Sequence, residues 1–178
     1  RARSPSRGLG DVYKRQDEEL AYLRRFTQLK TLALDATDIS DAGLVHLQEL
    51  TNLLELRLNY TKVTDAGMVH LAGLTNLESL ELRRLPITEA GLVHLKNLTS
   101  LKMLLLNRAQ ITDAGLIYLK GMSTLEHLSL PGNKVTDDGL PHLNGLTNLR
   151  LLSLNGTQVT EGGVVDLKKA LPNCTVER

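Results

Sequence analysis

The 178-residue sequence has no tryptophan and a single phenylalanine, and aromatic residues make up 3% of it. A compact single-domain core normally draws much of its buried area from large rings, so an ordinary ring-packed domain is not the architecture to expect. The one cysteine, Cys174, rules out an internal disulfide framework and any Cys-based zinc cluster. No apolar run approaches the roughly 18 residues that a membrane helix needs. An excess of one charge is also missing. The formal net charge is +1, and residues 1–16 hold five of the 21 basic and one of the 20 acidic residues. Residues 17–178 therefore carry 16 basic against 19 acidic groups, a formal charge of −3. General polyanion binding loses its compositional support, and nucleic acid is not expected as a partner. Catalytic signatures are missing too: there is no G-x-S-x-G, no H-E-x-x-H and no glycine loop that would cradle phosphate. No enzyme activity and no cofactor are expected.

What the chain has in abundance is leucine at a fixed period. Residues 50–73, LTNLLELRLNYTKVTDAGMVHLAG, align without gaps on 26–49, 74–97, 98–121, 122–145 and 146–169. Six equal copies in unbroken register define a solenoid, in which each unit buries its apolar face only against its neighbours. Within one copy, Leu50, Leu53, Leu56 and Leu58 end in a period-two step, which predicts a short strand with one buried face. Val63 returns to the core after a turn at 59–62. Thr64 and Asp65 then supply oxygen atoms where the first amides of a short helix need acceptors. Met68 and Leu71 share one face of that helix. Gly67 recurs as Gly43, Gly91, Gly115, Gly139 and Gly163, and a helix tolerates such a glycine where packing is close or the backbone unusual.

Strand, turn, short helix, strand describes a coil of parallel strands with a right-handed crossover. Helices are wider than strands, so the stack curves with the sheet inside. This pattern resembles the leucine-rich repeat family from Asp17 to the C-terminus, in the T-D-x-G-L type seen in long bacterial arrays and in cysteine-containing repeats of F-box substrate receptors. The resemblance implies an α/β solenoid: a right-handed horseshoe with the parallel sheet concave and the helices convex. Those receptors place Cys or Asn just after the strand, where this chain has Thr37, Thr61, Leu85, Ala109, Asn133 and Thr157. An F-box role is therefore not carried over, and the bacterial arrays are the better match.

Three segments are expected: 1–16 as a tail foreign to the fold or disordered, 17–170 as the array (half a repeat plus six), and 171–178 as a C-terminal cap. RARSPSRGLGDVYKRQ is basic and aperiodic, and its end resembles translated adaptor read-through at the edge of assembled environmental DNA. A natural basic tail is the alternative. DEELAYLRR from Asp17 overlays 41–49, yet Gly8, Gly10 and Arg15 stand where the rest of that repeat needs apolar residues, so the start looks truncated. LPNCTVER opens a seventh repeat with Cys174 in a leucine slot. No compartment follows. Extracellular arrays often carry cysteine-rich caps, so their lack leans toward the cytoplasm, while a truncated start leaves a signal peptide open. Four N-x-S/T matches, at Asn59, Asn97, Asn155 and Asn173, matter only after secretion by a eukaryote.

Two polar columns invite chemistry. His46, His70, His94 and His142 stack with Tyr22 and Tyr118 on the helical side, but without carboxylate or cysteine partners they are not expected to hold metal. Asp41, Asp65, Glu89, Asp113, Asp137 and Glu161 each open a helix and are expected to cap it.

Positions that repeat hold the fold, and outward strand positions that vary are free to encode a partner. These are Thr31, Glu55, Ser79, Met103, His127, Leu151 and, two residues on, Ala33, Arg57, Glu81, Leu105, Ser129, Ser153. The strand exits add two more columns. The middle copies place Arg57, Tyr60, Arg83, Arg84 and Arg108 around Met103 and Leu105, the composition of an interface hot spot. The expected partner-binding set on the concave face is Glu55, Arg57, Asn59, Tyr60, Glu81, Arg83, Arg84, Met103, Leu105, Asn107, Arg108 and His127. The bland alternative pairs Arg57 with Glu81 across strands. The function expected is a non-catalytic, monomeric protein-interaction module. Its rival is the targeting arm of a larger signalling enzyme, a kinase or ubiquitin-ligase-like adaptor whose effector domain lies elsewhere.

Overall fold

The computed structural model describes residues 16–178; the expectation for 1–16 falls outside them except at Gln16. Seven three-residue strands form one parallel sheet in chain order: β1 (Thr31–Ala33), β2 (Glu55–Arg57), β3 (Ser79–Glu81), β4 (Met103–Leu105), β5 (His127–Ser129), β6 (Leu151–Ser153) and β7 (Thr175–Glu177). Every pairing is offset by one whole repeat, so Leu32, Leu56, Leu80, Leu104, Leu128, Leu152 and Val176 lie side by side. The period-two step predicts this alternation, and the central residue of β2 is buried between two exposed ones. This is the predicted solenoid, with helical turns on the other side of a leucine core.

All seven apolar positions of the second copy, Leu50, Leu53, Leu56, Leu58, Val63, Met68 and Leu71, are fully buried. Each such side chain contributes about 1.5–3 kcal/mol relative to exposure. The first copy is thinner. Phe26 stands in the slot of Leu50 yet is 58% exposed, because no complete coil precedes it among the described residues to cover the ring.

The helical side is shorter in register than a two-turn helix. Three of the six copies make one α-turn, such as Glu89–Leu92, followed by one 3₁₀ turn, such as Val93–Leu95, and Asp65–Leu71 is 3₁₀ throughout. Asp137–Leu143 is 3₁₀ throughout and contains Pro141, which has no N–H to donate. Among the described residues only Glu161–Ala170 is a longer α-helix. The cap is the threonine: the Thr64 hydroxyl accepts from the Ala66 N–H at 3.3 Å, and Ser40, Thr88 and Thr136 do likewise.

The acidic column does something other than cap its own helix. Except for Glu161, which meets Arg178 at 3.7 Å, each carboxylate of the column reaches forward to the next repeat, accepting from a backbone N–H and from the same residue's hydroxyl. Asp41 takes the Thr64 N–H and hydroxyl, both at 2.7 Å; Asp65 takes those of Thr88 at 2.8 and 2.6 Å. Asp17, Glu89, Asp113 and Asp137 hold Ser40, Thr112, Thr136 and Thr160 in the same way. The repeated glycine explains itself here. A Cβ at Gly43, Gly67, Gly91, Gly139 or Gly163 would fall inside 3.0 Å of the preceding repeat's aspartate, whereas at Gly115, behind Glu89, the nearest atom is Ile111 Cγ2 at 3.2 Å. None of these six glycines has positive φ, so close packing is the reason.

At the post-strand position, the hydroxyls of Thr37, Thr61 and Thr157 donate to a carbonyl three residues back, staying within their own repeat. Asn133 crosses between repeats: its amide donates to Leu106 and Leu130 carbonyls at 2.8 and 2.9 Å and accepts the Ile111 N–H at 3.0 Å.

Candidate functional site

The strand residues on either side of each buried leucine point away from the helical turns and make a polar, varied face. At the strand exits the backbone turns through a left-handed residue: Ala36, Tyr60, Arg84 and Arg108 have φ of 54–58°, and Gly132 and Gly156 have 69° and 68°. Glycine adopts this conformation freely, while any L-residue with a Cβ meets a steric cost of about 1–2 kcal/mol. Three of the predicted site residues therefore sit where the backbone alone would favour glycine. The glycines at 132 and 156 are the sequence signal that marks the whole column as left-handed.

Around this column the charges divide. Arg57 meets Asp35 at 2.5 Å and Glu81 at 3.9 Å, and Arg83 meets the other Glu81 oxygen at 3.9 Å. The cross-strand pairing of Arg57 with Glu81 is thus present, with Asp35 as a nearer partner. The Arg84 guanidinium lies over the Tyr60 ring, 5.5 Å from its centroid, and Tyr60 is 55% exposed. Arg108 turns the other way, its Cγ 3.1 Å from where a Cβ on Gly132 would sit.

Not every expected residue presents itself to solvent. Leu105 is only 3% exposed. It lies between Glu81 and Ser129 in register, and strands about 4.8 Å apart leave no open space around a side chain as wide as leucine. Asn59 is buried as well, its amide donating to Asp35 at 2.7 Å and Glu81 at 2.8 Å while its carbonyl accepts the Arg83 N–H at 2.9 Å. Both are parts of the sheet rather than of its surface. Glu55, Arg57, Tyr60, Arg84 and Arg108 are exposed, and Glu81, Arg83, Met103, Asn107 and His127 are half-buried. Two buried atoms in adjacent copies, Arg83 Nε and Asn107 Oδ1, have no hydrogen-bond partner. One position earlier, Lys102 meets Glu78 at 2.8 Å, which raises the Lys102 pKa, and Arg150 meets Glu126 at 3.6 Å, as a solvated ladder of alternating sign requires.

On the helical side His70 Nδ1 contacts the Gln48 amide and His46 Nδ1 is buried without a partner. Among the described residues no three His, Cys, Asp or Glu side chains are grouped to hold a metal, and no helix is long and apolar enough to cross a membrane.

A family model described as Leucine Rich repeat matches residues 49–72 and 121–140. A solved internalin from Listeria monocytogenes superposes with a TM-score of 0.70 at 26% identity over 88% of this chain and 49% of that one. The matched segments are leucine-rich repeats, and the array as a whole has their fold. Internalin C2 from the same organism follows at a TM-score of 0.62 and 23% identity, covering 90% of this chain and 82% of that one. A leucine-rich repeat protein of Leptospira interrogans gives 0.59 and 19%, over 89% and 51%. These last two share the fold alone. The array spans about half the length of the first internalin. No curated protein matches the sequence. A leucine-rich repeat array offers an extended surface along its sheet face.

Proposed function

We propose that this leucine-rich repeat protein is a monomeric, non-catalytic module that holds a protein partner on the sheet face of its second to fifth repeats. Residues 17–170 form the binding array and 171–178 close it. The observation that supports this most is the strand-exit column. Tyr60, Arg84 and Arg108 occupy left-handed positions that glycine fills without strain in the next two copies. Strain kept at exposed aromatic and arginine side chains has no benefit to the fold and is the pattern of a functional surface. Glu55, Arg57 and Met103 border the same surface.

A photo-crosslinking amino acid tests the face directly. Placed at Met103 on the sheet it should trap the partner, and placed at Ala114, exposed on the helical side, it should not. Crosslinks from Ala114 with none from Met103 would move the site to the opposite face and end this reading.

A further inference from the structure

The four strand-exit loops of repeats two to five, 59–62, 83–86, 107–110 and 131–134, contain Lys62, Arg83, Arg84, Arg108 and Lys134 and no Asp or Glu. The acids on this side of the molecule lie elsewhere, as Asp35 and Asp38 in the first exit loop and as Glu55 and Glu81 on the strands. Part of the cationic rim is neutralised by them: Lys62 meets Asp38 at 2.9 Å and Arg83 meets Glu81 at 3.9 Å. No carboxylate among the described residues forms an ion pair with Arg84, Arg108 or Lys134.

The geometry of these free cations limits what they can bind. Arg84 leans back over Tyr60 in the second repeat, and the Arg108 stem leans forward against Gly132 in the fifth. The two side chains lean toward opposite neighbours, an arrangement suited to a ligand spread along the rim rather than to one point anion. They spread along a rim of three strand spacings, on the order of 15 Å. An extended chain rises about 3.3 Å per residue, so four or five residues cover that rim, with alternate side chains about 6.6 Å apart on one face.

We infer that the partner presents an acidic, extended polypeptide segment that lies along this exit rim, with its carboxylates on Arg84 and Arg108, Lys134 beside them, and Tyr60 holding the Arg84 guanidinium in place. The inference rests on the sheet-face reading proposed above and specifies its ligand. Nucleic acid is the other polyanion to weigh. A charge on every nucleotide meets more repulsion from the array's formal charge of −3 than a few carboxylates do, and the exit column's single ring, Tyr60, is already covered by Arg84, which leaves no free stacking platform there.

The test is selection of a random dodecapeptide library on the full 178-residue protein, followed by fluorescence anisotropy of the enriched peptides. Asp or Glu should enrich at alternate positions, and affinity should fall as salt rises. Arg84→Gly and Arg108→Gly should each weaken binding about tenfold or more, the usual effect of losing a central charged anchor. Glycine suits this φ, so these variants should melt no lower than the parent; Arg84→Gln and Arg108→Gln repeat the charge loss with the side-chain stem kept. Enrichment of peptides without acids, no enrichment, or unchanged binding by the arginine variants overturns the inference. Peptides that ignore Arg84 and Arg108 but are lost with Met103→Glu leave the sheet-face reading standing, and indifference to Met103→Glu as well removes both. Tighter binding of a mixed-sequence single-stranded oligonucleotide than of any peptide, lost in the same arginine variants, also overturns the acidic-peptide assignment.

Discussion

Replacing Gly91 with alanine sets a methyl group against the Asp65 carboxylate that ties the third repeat to the second. The added Cβ would fall inside 3.0 Å of Asp65 Oδ1, so the carboxylate must retreat by on the order of 1 Å to reach ordinary contact distance. That carboxylate accepts the Thr88 N–H at 2.8 Å and the Thr88 hydroxyl at 2.6 Å. Hydrogen bonds to a charged group are worth about 1.5–3 kcal/mol each. The pair is partly exposed, and solvent screening brings the joint loss to about 2–3 kcal/mol. Alanine returns about 1 kcal/mol of helix propensity. The net cost is about 1–2 kcal/mol, a fall in Tm of about 2–8 °C for a protein of this size. Gly115→Ala is the internal control. It occupies the same place one repeat later, but behind Glu89 its Cβ meets nothing nearer than 3.2 Å, so stability should hold or rise slightly. Urea and thermal unfolding followed by circular dichroism read both variants. In an Asp65→Ala background Gly91→Ala should become neutral or favourable, a coupling of about 2 kcal/mol. Equal losses at Gly91 and Gly115, or a penalty that survives removal of Asp65, would refute the reasoning. The glycine would then be serving Ile87 and Met68, each 3.0 Å from the same Cβ.

Asn133→Ala leaves the buried Ile111 N–H without a partner, while the Leu106 carbonyl keeps the Ala109 N–H, and should cost about 1–3 kcal/mol in urea unfolding. Thr61→Val, which removes one bond inside a single repeat, should cost under about 1 kcal/mol; similar losses for the two would show that the crossing bonds of Asn133 add nothing. Acid should loosen the carboxylate column. Burial raises the Glu89 pKa, but bonds from the Thr112 hydroxyl, its own amide and the Thr112 amide outweigh it and leave the pKa below the usual value. Asp137 is held below its usual value by the Thr160 hydroxyl and amide, with Arg178 assisting against a small burial effect. Native pKa values below the unfolded ones mean that the stability these groups add is complete above pH 4.5, the ordinary glutamate value, and is lost as pH falls through the lowered native values. The Tm difference between the parent and Glu89→Gln/Asp137→Asn should therefore shrink below about pH 4.5; a difference that is constant down to pH 3 or already vanishes by about pH 6 would contradict it.

The period and the leucine slots were legible because six copies average out the noise of any one, and a side chain that recurs once in every copy has one structural job. Direction was not legible. Asp41 recurs at the same interval whether it caps its own helix or grips Thr64 in the next coil, so periodicity cannot tell the two apart; the glycine of the following copy, Gly67, makes sense only once the two coils are adjacent. On the candidate surface the strand alternation placed Glu55, Arg57 and Met103 on the outward face, but it could not see sideways. Whether an outward leucine is open depends on its neighbours one repeat away on either side, and Glu81 and Ser129 close over Leu105. Asn59 is closed off for the same reason: Asp35, Glu81 and Arg83 engage it from adjacent coils.

The forward-reaching carboxylate gives the array a head and a tail. Each repeat carries a plug, the acid, and the socket for the plug before it, a threonine beside a glycine. Removing or duplicating any whole repeat brings the plug of one copy to the socket of another, and Asp41 would meet Thr88 and Gly91 as it now meets Thr64 and Gly67. The coupling is thus interchangeable without being symmetric. Such a chain can change length by whole units, in either direction, while its binding surface is shuffled and its joints stay the same.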